Sequence, residues 1–357
     1  MEKRNYGIDF LRVILMFFII LGHLFAHTNL RQMVPILSAK GISIWQMQTL
    51  CLCAVNCFVI ITGYFMINAR WKISHLLKLW SNVFVYSVII GGSLLALGLI
   101  PLNINTLMDM FFPVLRRLWW FISAYVLLFL LIPFLNICLK KLTTAQWNYL
   151  MSILVVVFYI LPLLEVFFPP YDPTEGMGIM GFVSLYVVGA YLAVRNFNLS
   201  WKWCIVALLT NNLIILSSKL VLYYITSLWS LERGTGLFYH YNTIFELLNA
   251  ILLLLLFKQF SFTCLKQYVA WIAPSVFSIY LIHEHPAIRR LLWKTGLLEY
   301  LQQASCLDFM GMVIMFPVTI MILCICIDKL VQGVILGPYF RSTVFKWFER
   351  KLQEKKI

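Results

Sequence analysis

Three ionisable side chains lie inside one apolar stretch near the N-terminus: Asp9, Arg12 and His23, with His27 one turn beyond. Charged or titratable groups inside such a stretch are costly and point to function. From Arg12 to His23 is eleven positions, which on a helix is about 1,100°, three turns plus roughly 20°. Asp9 to His23 leaves a residual of about 40°. The spacing therefore predicts that all three share one face of a helix. Such an imidazole could serve as a general base near neutral pH or as a nucleophile. Arg12 could orient an anionic substrate or balance Asp9 three residues earlier.

Two other clusters could do chemistry. His283 and His285 flank Glu284, with Arg289, Arg290 and Lys294 following. An H-x-H pair can ligate a metal, but no third histidine is evident. The basic cluster could meet an anionic partner or serve as an interfacial anchor. Arg70, Lys72 and Lys78 form a basic run between two apolar stretches, where they could hold phosphates or simply set topology. Cys51, Cys53 and Cys57 match no common zinc spacing and read as packing residues.

The elements that must position these groups follow from composition. Of 357 residues, 62% are hydrophobic and only 12% charged, with a mean hydropathy of +0.88. A soluble domain needs roughly a quarter of its residues charged, so a cytosolic enzyme and a disordered chain are both excluded. The expected fold is an all-α polytopic membrane protein of about ten transmembrane helices. They fall near Ile8–His27, Ile44–Ile67, Leu79–Ile100, Leu118–Leu139, Tyr149–Phe168, Gly178–Val194, Trp203–Ile225, Tyr241–Phe257, Tyr268–His285 and Phe309–Val331. With the N-terminus inside, 18 Lys and Arg fall on the inner side and 8 on the outer, as the positive-inside rule requires of a correct count. That rule also accounts for the net charge of +14 without nucleic acid as a partner. Both termini are expected in the cytoplasm. Residues 1–340 read as one transmembrane domain and 341–357 as a basic cytoplasmic tail. Leu107–Leu115 is too short to cross, Pro169–Gly176 reads as an external loop, and Pro286–Tyr300 reads as an amphipathic interfacial helix. Lys219 and Glu246, in the outer halves of their spans, are expected to pair.

Ile8-Asp9-Phe10-Leu11-Arg12 followed by ten residues and His23 resembles the opening R-x10-H element of the acyltransferase-3 family of integral membrane acyltransferases. Further elements resemble the family's in order: Thr62-Gly63-Tyr64-Phe65 with the basic run after it, Trp119-Trp120-Phe121-Ile122-Ser123, and Ser278-Ile279-Tyr280-Leu281-Ile282-His283. The acidic residue often found after the Trp element is absent, with Tyr125 nearby. The resemblance implies an enzyme moving an acyl group, acetyl in most members, from acyl-CoA to a hydroxyl of a cell-envelope or capsular polysaccharide or its lipid-linked precursor, in a bacterial cytoplasmic membrane. It implies no metal, no permanently bound cofactor and acetyl-CoA as donor substrate. Expected catalytic residues are His23, Arg12 and Asp9, with donor contacts from Arg70, Lys72 and Lys78 and acceptor contacts from Trp120, Tyr280 and His283. The rival expectation is a transporter or flippase for a lipid-linked sugar, though the inverted repeats such proteins often carry are not evident.

Overall fold

A computed structural model of the chain describes residues 4–166, 176–228, 236–293 and 297–354. Among these the regular structure is helical throughout, with no strand. The principal helices are α1 (Tyr6–His27), α2 (Ala39–Met66), α3 (Ile73–Ala96), α4 (Trp120–Leu139), α5 (Thr144–Leu164), α6 (Ile179–Val194), α7 (Trp201–Leu228), α8 (Ile244–Phe257), α9 (Thr263–His283) and α10 (Cys306–Val331). Eight are long and apolar enough to cross a membrane, and α6 and α8 are shorter apolar helices. The chain is an all-α, multi-pass membrane protein.

Local signals explain where the helices depart from the expected ranges. α2 begins at Ala39, earlier than expected, because the Ser38 side chain caps it by accepting the Gly41 N–H at 3.0 Å. α3 starts at Ile73 and stops at Ala96, short of the expected Ile100; Gly98, with φ +68°, turns the chain just beyond. The short stretch after it forms only an eight-residue helix, Ile104–Phe111. The amphipathic stretch is helical over Pro286–Trp293 and again over Leu297–Gln303. Of the expected external loop Pro169–Gly176, all but Gly176 lies outside the described residues, as does Lys294.

α2 is the hub, packing against α1, α6 and α8. Its contact with α6 depends on two glycines. A Cβ on Gly63 would sit 2.1 Å from the Tyr186 carbonyl oxygen, and one on Gly189 would sit 2.1 Å from that of Ile60. Small residues let the two backbones touch, as membrane helix pairs commonly require. α1 joins two apolar cores, placing Ile8, Leu11 and Leu15 in one and Met16, Ile20, Leu24 and Phe25 in the other.

One expected pair is corrected. Lys219 and Glu246 form no ion pair among the described residues; the Lys219 Nζ lies 3.9 Å from the Trp45 ring centroid instead. The indole face, invisible as a partner in a count of charges, takes the cation.

Candidate active site

α1 is started by Asn5, whose side chain accepts the Ile8 N–H at 3.1 Å and donates to the Lys258 carbonyl oxygen at 3.2 Å. That anchors the helix beside the end of α8. From there Arg12, Met16, Ile19, His23 and Ala26, spaced three or four residues apart, line one side of an internal chamber of about 630 Å³. This is the size range of small-molecule sites. Arg12 and His23 are therefore co-facial, about 16 Å apart along the helix at 1.5 Å per residue. The other walls include Val55, Phe58 and Thr62 of α2, Trp120, Phe121 and Tyr125 of α4, and Tyr280 of α9.

Beside the N-terminal end of α1 a second depression, of about 490 Å³, is lined by Arg4, Asp9 and Phe65, and shares Arg12, Ala273 and Pro274 with the chamber. Ala273–Ser275 is a short 3-10 turn that interrupts α9. Irregular backbone at membrane depth is tolerated where it borders a cavity. Asp9 is clamped by two guanidiniums, Arg4 Nε at 2.5 Å and Arg12 Nη1 at 2.8 Å. It thus sits at the Arg12 end of the chamber, some 21 Å of helix from His23, and its direct chemistry is with the two arginines.

His23 is held by α9. Its Nδ1 lies 3.0 Å from His283 Nε2 and 3.1 Å from Glu284 Oε2. The His283 Nδ1 is 2.6 Å from the Ile279 carbonyl oxygen, which can only accept, so that nitrogen carries the proton. With the His283 ring neutral, its Nε2 is then a lone pair facing His23. The network thereby assigns the proton of a neutral His23 to Nδ1 and leaves Nε2 as the basic nitrogen. Glu284 is fixed from the other side by Arg289 Nη1, 2.7 Å from Oε1, and approaches His27 Nε2 at 3.4 Å.

One ring nitrogen each of His23 and His27 and a carboxylate oxygen of Glu284 lie within 4.8 Å of one another, close enough to share a metal ion. His23 Nδ1 is engaged by His283, whereas His27 Nε2 and Glu284 Oε2 have no hydrogen-bond partner among the described residues.

The profile of a family described as an acyltransferase domain matches residues 5–330. The chain belongs to the acyltransferase-3 family. It is a membrane acyltransferase. Comparison with curated proteins and with solved structures gives no match.

The acyltransferase places its sequence-nominated residues unequally. Arg12, His23, Trp120 and Tyr280 all line the chamber, and Asp9 lines the second depression. His283 is not on the chamber wall but behind His23, only 1% exposed. Arg70, Lys72 and Lys78 are exposed where α2 gives way to α3, and none borders the chamber or the depression. Sequence reasoning assigns no role to Arg4, Glu284 or His27, although Glu284 stands between two histidines; Arg289, expected to meet an anionic partner or anchor the interface, pairs with Glu284. Tyr125 donates to or accepts from Thr62 Oγ1 at 3.2 Å, tying the Trp element to the Thr-Gly-Tyr-Phe element across the chamber.

Proposed function

We propose that this membrane acyltransferase moves an acetyl group from acetyl-CoA to a hydroxyl of a cell-envelope glycan, or of its lipid-linked precursor, in a bacterial cytoplasmic membrane. The observation that carries the reading is His23 on the chamber wall, with its Nδ1 hydrogen-bonded to His283, the Glu284 carboxylate 3.1 Å from the same nitrogen, and its Nε2 left basic. In the direct mechanism Nε2 removes the hydroxyl proton as the oxygen attacks the thioester carbonyl carbon. The tetrahedral intermediate collapses, the C–S bond breaks, and the imidazolium returns the proton to the departing thiolate. The products are the ester and free CoA. In the relay variant Nε2 attacks the thioester carbon and CoA thiolate leaves; the hydroxyl oxygen then attacks the acyl-imidazole carbon, the C–N bond breaks, and the hydroxyl proton balances the released thiolate.

The donor's nucleotide is too anionic to enter the bilayer. The depression at Arg4 and Arg12 supports entry from the side that the loop charges assign to the cytoplasm, with the pantetheine arm extending up the chamber. Arg70, Lys72 and Lys78 would meet the nucleotide only outside that mouth. The mostly apolar chamber wall favours transfer over hydrolysis by keeping bulk water from the thioester.

The test uses membranes holding the full chain, labelled acetyl-CoA, and mass spectrometry of surface glycans. Wild type adds an acetyl-sized mass and His23→Ala does not. Undiminished transfer by a folded His23→Ala variant would remove the imidazole from the mechanism.

A further inference from the structure

The outer end of the chamber has a chemistry of its own. Arg31, in the helical turn Leu30–Met33 just after α1, lines it together with Gln48, Tyr239 and Tyr241. No Asp or Glu occurs among the described residues that line the chamber, whereas Arg12 and Arg31 mark its two ends. Arg12 has Asp9 as counter-ion; Arg31 forms no ion pair among the described residues. Burial lowers the Arg31 pKa from its ordinary value, as expected for a guanidinium drawn from water without a carboxylate beside it. A second cation, Lys219, stands behind the aromatic wall, over Trp45 and 5.8 Å from the Tyr239 ring centroid. Glu246, the nearest buried acid on α8, pairs with neither cation among the described residues. Gln48 adds a complementary need: its Oε1 is buried and accepts no hydrogen bond among the described residues. A ligand there should therefore bring an anion for Arg31 and a hydroxyl donor for Gln48, beside aromatic rings suited to a sugar face.

We propose that Arg31 and Gln48 bind an acceptor sugar carrying an anionic group, either a carboxylate on the sugar or the phosphate that links it to a lipid. This rests on the acyltransferase reading above and specifies its acceptor. A guanidinium recognises both oxyanions by paired N–H donors, and in a low-dielectric chamber the contribution exceeds that of an exposed pair.

The experiment measures equilibrium binding to the detergent-purified full chain by tryptophan fluorescence, using galacturonic acid, galactose 1-phosphate and galactose as matched probes. Wild type is expected to bind at least one anionic sugar about tenfold or more tightly than galactose. Arg31→Ala should erase that preference while leaving galactose affinity within about twofold, and Arg31→Lys should restore part of it. Preference for the carboxylate identifies an acidic sugar, and preference for the phosphate identifies a lipid-linked one. Equal affinity for all three, no binding of any, or a preference that survives Arg31→Ala would overturn the proposal. Turnover of acetyl-CoA by the wild type is measured in parallel. Its absence counts against the donor reading alone, because charge preference is read by binding.

Discussion

Replacing His283 with alanine tests whether the histidine pair sets the state of His23. The variant removes the acceptor 3.0 Å from His23 Nδ1 but leaves Glu284 Oε2 at 3.1 Å on the same nitrogen. One neutral hydrogen bond contributes about 0.5–1.5 kcal/mol net, so His283→Ala alone should lower kcat about two- to tenfold. Glu284→Met removes the charged acceptor, a loss of about 1.5–3 kcal/mol, or about ten- to hundredfold. Together the two leave the Nδ1 proton without a partner and free the ring to rotate or exchange tautomers. The double variant should therefore approach the whole contribution of a positioned base, about 10²–10⁴-fold. The assay is labelled acetyl transfer in proteoliposomes at varied acetyl-CoA, so that kcat and KM separate. Because neither side chain lines the chamber, KM for acetyl-CoA should hold within about twofold, which general misfolding would not permit. The reasoning is refuted if the double variant turns over like wild type, or if the loss falls on KM alone.

Three further outcomes follow from the same geometry. Gly63→Val should separate α2 from α6, because its Cβ meets the Tyr186 carbonyl oxygen at 2.1 Å; overpacking of about 1–3 kcal/mol should appear as a lower melting temperature on size exclusion, and an unchanged one would contradict the close approach. Asp9→Asn releases Arg4 and Arg12 from their shared carboxylate and should alter KM for acetyl-CoA severalfold with kcat nearly constant; a collapse of kcat would place Asp9 nearer the chemistry. Prolonged chelation should leave turnover unchanged where the His23, His27 and Glu284 cluster works as a proton network; loss of activity restored by a divalent cation would assign that cluster to a metal.

How much of this was legible depended on distance along the chain. The stripe from Arg12 to His23 could be counted out because helical periodicity is a local property, and the long apolar helices because hydrocarbon thickness sets a length, although only eight of the ten expected spans are long and apolar enough to cross. Gly63 stood out only as part of a motif; its use, contact with the Tyr186 backbone, is decided by a helix more than a hundred residues later. The His23–His283 bond joins side chains 260 positions apart, and nothing in either segment announces which ring nitrogen faces which. The expected Lys219–Glu246 pair failed for a related reason: charge counting finds opposite charges but not the aromatic ring that lies closer. Arg4 was read as one more inside charge, although its carboxylate partner is five residues away.

On the proposed function, an arginine toward one end of α1, a histidine toward the other and a chamber running past both would let donor and acceptor meet at the imidazole. Proton transfer at His23 would then need no rearrangement of α1 itself. What must be held still is the imidazole, and that task falls to α9, whose broken turn at Ala273–Ser275 borders the second depression while its far end presents His283 and Glu284. A change in the angle of α9 would thus act on donor entry and on the base together. A substitution that stiffens or straightens that turn, such as Pro274→Ala, should therefore move KM for acetyl-CoA and kcat in concert, unlike His283→Ala. If Pro274→Ala shifts KM with kcat constant, the two ends of α9 act independently and the helix is a scaffold rather than a lever.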